Sequence, residues 1–200
     1  MHPDRRFAWD DRAAMRAFVA QAGFGTLFGM TPAGPRVAHV AAIFLDDDRI
    51  GFHLARSNAL AGHIEHGDAL FVVNGPDAYV SPDWYGMDNQ VPTWNYVAVE
   101  LQGRASPMVP DDLSALIDAL SQDQERRLAP KPLWTKDKMS DGLADRMLGA
   151  VTGYAFAISD WRGTRKLGQN KPEAARAGVA DALRLQGKHE MANLMRGTLS

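Results

Sequence analysis

Cysteine is absent from all 200 residues. That excludes disulfides, a thiol nucleophile and any thiolate metal site, and it fits a reducing compartment. No apolar run approaches the roughly 18 residues that read as a membrane span. The opening "MHPDRRFAWDD" lacks the apolar stretch of a signal peptide, so a cytoplasmic protein is expected. An excess of basic charge is missing too: the formal net charge of -2 leaves no global field to draw in nucleic acid. There is no GxGxxG after a strand and no Walker-type glycine loop, which argues against a Rossmann or phosphate-loop nucleotide site. Repeats, low-complexity tracts and linkers are also missing, and the length suits a single domain over residues 1–200 ending in a helical tail.

What is present is unevenly spread. The segment "GPDAYVSPDWYGMDNQVPTWNY", Gly75 to Tyr96, holds three tyrosines and two of the five tryptophans. Its β-like ends flank a turn-forming middle, Pro82 to Pro92, in which Trp84 and Tyr85 have no obvious place to be buried. The pattern predicts a loop closing over something flat.

Along the rest of the chain, Asp10 or Asp11 caps a first helix carrying Met15, Phe18, Val19 and Ala22 on one stripe, and Gly23 ends it. "FGTLFGM", "VAHVAAIFL" and "IGFHLA" read as three strands joined by short turns, hence antiparallel neighbours. Asn58 has the chemistry of an N-cap for a short helix with Leu60 and Ile64, after which "ALFVVNGP" returns as a strand. "NYVAVELQGRASPMV" is a long strand expected in the middle of the sheet. A marked helix over "PDDLSALIDALSQDQERRL" follows, then a helix from Ser140 to Val151, a strand "YAFAISDW" and the helix "PEAARAGVADALRL". The fold class is mainly β with α (α+β): about six antiparallel strands closing into a barrel, with helices outside.

The six histidines offer little definite chemistry. His63 and His66 have metal-ligand spacing on a helix but lack a third ligand, so solvated surface histidines are the stronger reading and no metal site is assigned. His39 and His53 lie on neighbouring strands and could face each other, either as chemistry or as hydrogen-bonded structural groups. No Ser-His-Asp arrangement can be assembled, and the catalytic residue is unknown. More informative is "HLARSNAL", where Arg56, Ser57 and Asn58 leave a strand together: a guanidinium, a hydroxyl and free backbone N–H groups form either a phosphate cradle or an ordinary cap with a solvated arginine. "RKLGQNK" adds Lys166, Gln169 and Asn170. A phosphate site, several amides and a cluster of rings together suit a flat, phosphorylated heteroaromatic such as flavin mononucleotide (FMN).

The blocks "GPDAYVSPDWY", "VPTWNYVAVELQG" and "RKLGQNKPEAARAGV", with "HPDRRF", "HLARSN" and "MANLMR", resemble those of the PaiB-type FMN-binding proteins, often called negative transcriptional regulators. The resemblance spans nearly the whole chain. It implies an FMN-binding split β-barrel related to pyridoxamine-phosphate oxidases and flavin reductases, a homodimer with FMN at its interface, and a place near the flavin for the aromatic loop. Residue by residue it implies Arg56, Ser57 and Asn58 at the phosphate. His39, Val40 and Ala41 fall on the strand along the isoalloxazine, and Trp94, Asn95, Tyr96, Lys166, Gln169 and Asn170 come near the cofactor. The loop "GMDNQ" is shorter than the family's and carries Asp88, and "RSNAL" lacks a proline often found after the asparagine.

Three functions remain open at this point. One is an FMN-dependent oxidoreductase passing electrons to an unidentified small acceptor, with the flavin doing the chemistry. Another is a flavin-sensing transcriptional regulator, for which the family name speaks but no helix-turn-helix or basic stripe does. The third is a flavin or haem binding module without turnover.

Overall fold

The structure is a computed structural model that describes residues 2–197. Seven strands form its sheet: β1 (Ala8–Trp9), β2 (Phe24–Thr31), β3 (Gly34–Phe44), β4 (Arg49–Ala55), β5 (Ala69–Val80), β6 (Thr93–Pro107) and β7 (Val151–Lys166). Among the described residues five α-helices accompany them: α1 (Arg12–Ala22), α2 (Pro110–Arg126), α3 (Leu143–Leu148), α4 (Glu173–Leu185) and α5 (His189–Arg196). The pairing order β7-β4-β3-β2-β5-β6 returns to β7, a closed circuit, and β1 is appended on β7. The pairings β1–β7, β2–β3, β2–β5, β3–β4 and β4–β7 are antiparallel. This is the α+β split barrel expected, with β6 flanked on both sides by β5 and β7.

Local chemistry explains the first elements. Asp11 Oδ1 accepts from Ala14 N at 2.9 Å and caps α1; Gly23, at φ 59°, ends it in the left-handed conformation. β2 and β3 join through a tight turn in register Thr31↔Gly34, and the acidic turn before β4 is held by Arg49 Nε on Asp46 Oδ2 at 2.7 Å.

By density of contacts the chain divides into two compact units. One comprises Arg16–Val73 and Glu100–Trp161. Its core is Leu27, Ile50, Phe52, Phe71, Leu101 and Phe156, all fully buried, with Phe52 stacked on Tyr154 at 5.5 Å between centroids. Helix α2 lies close over β4 and β7 because Gly51 and Gly153 make room: a Cβ on Gly51 would stand 2.6 Å from Leu116 Cδ1, and one on Gly153 would stand 3.0 Å from Leu113 Cδ1. The other unit comprises the described parts of Met1–Met15 and Arg162–Ser200 with Asn74–Val99. Val179, Leu183, Met191, Met195 and Leu167 fill its core.

Three expectations change. The stretch after Asn58 is a run of turns ending in a three-residue 3-10 helix, Ile64–His66, because Gly62 at φ 74° interrupts any helix; Leu60 and Ile64 are nonetheless buried, against β2 at Gly29. The helix expected from Ser140 to Val151 is only α3, bounded by Gly142 at φ 68° and by Gly149, and Val151 already belongs to β7. Strand β7 in turn runs past Trp161 to Lys166, taking in the start of "RKLGQNK".

Candidate functional site

In the unit built on β2, β3 and β4, the Arg56 cluster stands where β4 stops. Asn58 N donates to Ala55 O and Asn58 Oδ1 accepts from Leu60 N, both at 2.9 Å, so the asparagine closes the turn as a cap would, although no helix follows. Arg56 N is spent on Ala150 O at 2.9 Å. The guanidinium of Arg56 and the hydroxyl of Ser57 are exposed, and among the described residues neither has a hydrogen-bond or ion-pair partner.

His39 lies on the outer face of β3, its Nδ1 3.1 Å from Thr26 Oγ1 on β2 and its ring stacked with Phe24 at 6.5 Å. Strand alternation puts Ala41 on that face and turns Val40, 6% exposed, into the core, leaving Val40 only its backbone to offer. His39 and His53 do not face each other: the register Ala42↔Phe52 sets His53 two residues away from the position opposite His39. Among the described residues, no three His, Asp or Glu side chains are grouped to hold a metal.

The second cluster belongs to the other unit. Trp94 is exposed and meets Tyr79 edge to face at 6.2 Å, with Tyr96 half-buried on the same face of β6. Asn95 points the other way. It is 1% exposed, its Nδ2 donates to Met195 Sδ at 3.3 Å, and its buried Oδ1 has no hydrogen-bond partner among the described residues. Lys166 Nζ donates to Thr93 Oγ1 beside Trp94, and burial pulls its pKa below the usual lysine range. The Gln169 carboxamide is used within its own loop, accepting from Leu167 N at 2.8 Å and donating to Arg165 O, whereas Asn170 is exposed.

The aromatic loop is packed by its own chain. Pro82–Tyr85 forms a 3-10 turn against α4, where a Cβ on Gly178 would stand 2.8 Å from the Trp84 carbonyl oxygen. Tyr85 is buried at 5% exposure with Lys171 Nζ 5.2 Å above its ring, and burial raises its pKa above the usual phenol range. The partner that the loop's sequence does not reveal is therefore a helix ninety-odd residues later.

Periodicity identified the β2 and β3 strands but not their exposed apolar face. Phe24, Phe28 and Met30 on β2 and Val37 on β3 are all at least 42% exposed, with Phe28 paired to Val37 across the hairpin. The available signal was that "FGTLFGM" is apolar almost throughout, as in strands covered on both faces.

Each unit, taken by itself, carries groups that fit FMN: in the first, a guanidinium and hydroxyl at Arg56 and Ser57 that suit a phosphate, and in the second, exposed aromatic faces at Trp94 and Tyr79 that suit a flat ring system. Comparison with known proteins agrees. Residues 1–160 match the family model described as "Putative FMN-binding domain". The protease synthase and sporulation protein PAI 2 of Bacillus subtilis (strain 168) is 29% identical over 196 residues, covering 91% of this chain and 90% of that protein. Among solved structures, the FAD and haem binding protein of Mycobacterium smegmatis superposes with a TM-score of 0.58 at 17% identity, over 80% of this chain and 74% of that one. The flavocytochrome Anf3 of Azotobacter vinelandii superposes with a TM-score of 0.58 at 19% identity, over 84% and 73%. At those identities the structures attest the fold, while the family match covers most of the sequence: the chain belongs to the FMN-binding domain family, and FMN is its cofactor.

Proposed function

We propose that the chain is an FMN-dependent redox protein of the cytoplasm, acting as a homodimer with flavin bound where two copies meet and electrons passed to a small acceptor. Residues 1–200 are read as one FMN-binding domain. The observation that carries the placement of the cofactor is the unpartnered Arg56 and Ser57 at the end of β4. A cleft of about 450 Å³ beside Arg56 also bears Asp111 and Asp145, so a phosphate is held on the Ser57 side, away from those carboxylates.

Arg56 and Ser57 bind the phosphate, and Asn58 sets the turn that presents them. His39 and Ala41 lie along the isoalloxazine on the outer face of β3, with the backbone of Val40 between them. Trp94 and Tyr96 offer ring faces, while Lys166 and Asn170 supply a cation and an amide. Asn95 and Gln169, whose side chains are turned to Met195 and to their own loop, support the strand and loop that carry the others. The flavin, when bound, supplies one- and two-electron transfer; the residues bind, orient and shield it. The exposed apolar face of Phe24, Phe28, Met30 and Val37 supports the homodimer, since a second copy would cover it.

The visible absorption spectrum of the purified protein, with and without added FMN, tests this reading. Flavin bands are expected; a haem Soret band, or no uptake of FMN, would reject it. Arg56→Ala should weaken FMN binding about ten- to a hundredfold, as for loss of a charge-assisted hydrogen bond, with riboflavin affected much less. Equal losses for the two would remove Arg56 from the phosphate.

A further inference from the structure

A cavity of about 340 Å³ lies on the outer side of β4 and β7, and none of the residues assigned to the flavin lines it. Its floor is His53 and Val151, one wall is Ile117 of α2, and the other is the segment between α2 and β7 with Trp134, Met139 and Met147. That segment is fastened to α2: Trp134 N donates to a Glu125 carboxylate oxygen at 2.9 Å, Lys131 Nζ pairs with the same carboxylate, and Lys136 Nζ pairs with Asp118 Oδ1 at 2.7 Å. The wall is thus part of the fold.

We propose that this cavity binds a small, flat, neutral and mainly apolar molecule of about two fused rings, carrying one hydrogen-bond acceptor that the His53 imidazole engages through Nε2.

Each part of that description has a physical source. An apolar cavity of about 150 Å³ holds benzene. Roughly twice that space takes a second fused ring. Seven of the ten lining residues are aliphatic, aromatic or thioether, the others being His53, Lys136 and Ser121, which suits a flat hydrophobic body and gives water few partners. Lys136, the charged residue at the wall, is already neutralised by Asp118 and bonded to Ser114 Oγ at 3.2 Å, so no free charge calls for an ion.

His53 Nδ1 is buried and among the described residues has no hydrogen-bond partner, which leaves Nε2 as the nitrogen a guest can reach. Burial also holds the ring below the usual imidazole range, so it is neutral near pH 7. A bare lone pair on the enclosed Nδ1 costs less than a stranded N–H there. The proton therefore sits on Nε2, which donates.

Equilibrium dialysis of the full chain saturated with FMN tests the proposal, with coumarin, a bicyclic lactone, as the acceptor-bearing probe and naphthalene as the probe without one. Coumarin is expected to bind saturably at one site per chain and not to be displaced by further FMN. His53→Phe keeps the size of the side chain and should weaken coumarin about three- to tenfold, as for one lost hydrogen bond, without weakening naphthalene. Ala144→Phe, which puts a ring into the cavity from α3, should weaken both probes at least about tenfold. Absence of saturable coumarin binding, displacement by FMN, equal losses of both probes in His53→Phe, or unchanged binding in Ala144→Phe would each overturn it. Because the FMN spectrum is read in the same samples, failure here is distinct from failure of the flavin reading.

Discussion

At Gly103 the backbone of β6 runs so close to β7 that a Cβ would stand 2.1 Å from the Ala157 carbonyl oxygen. The obstacle is backbone, not a side-chain tip that can swing away. Gly103→Ala is therefore expected to destabilise the fold by about 2 kcal/mol or more, read as a lower denaturation midpoint at unchanged m-value. His53 contributes through its proton. Its folded pKa is below the unfolded value of about 6.5, so between those values the unfolded chain binds more protons and stability rises with pH. On acidification below about pH 6.5 that contribution is lost. Thermal melts from pH 7.5 to 5.5 should show wild type losing ground to His53→Phe, and a constant difference between them would exclude the linkage. Both residues were visible in sequence only as a glycine and a histidine on strands. Register distinguished the histidines, setting His39 beside Thr26 and His53 opposite Gly153.

At the scale of elements, alternation and capping residues were legible wherever one segment decides its own conformation. The strands β2, β3 and β4 and the helices α1, α2 and α4 lie where the apolar pattern puts them. The misplaced helices were those broken by a left-handed glycine: Gly62 interrupts the first and Gly142 delays the start of α3, where hydrophobic spacing alone reads a continuous helix. The aromatic turn Pro82–Tyr85 depends on a distant element, α4, through the close approach at Gly178. Gly178→Val should push that turn off the helix. Amide hydrogen exchange across residues 82–92 is then expected to accelerate while exchange in α2 stays as in wild type; protection unchanged in 82–92 would mean the contact does not hold the turn.

For the whole molecule the proposed dimer is the decisive issue. Phe28 and Val37, opposite each other on the outer face of β2 and β3, are 42% and 50% exposed. Phe28→Glu places a charge in that patch and should cost little in a lone chain but much in an interface that buries it. Sedimentation velocity should show wild type as a dimer and Phe28→Glu shifted to monomer, with tight FMN binding reduced in parallel. A variant that stays dimeric and keeps its FMN would put the interface elsewhere. Among the described residues, no helix is long and apolar enough to cross a membrane, so the patch is not explained by a helical span.

By itself the sequence determined the fold class, the order of most strands and helices, and the family, because those rest on local periodicity, turn residues and motifs read along the chain. The same local chemistry made Asn58 close a turn after β4 and left Arg56 and Ser57 free beside it. Tertiary structure decided everything that depends on which face of a strand meets what. It turned Asn95 and Val40 inward while Trp94 and His39 stayed outside, and it buried Tyr85 under α4. It also brought His53 together with Ile117 and Trp134 around one cavity. These residues are far apart in sequence, and only the pairing register and the close glycine contacts between elements bring them to one place.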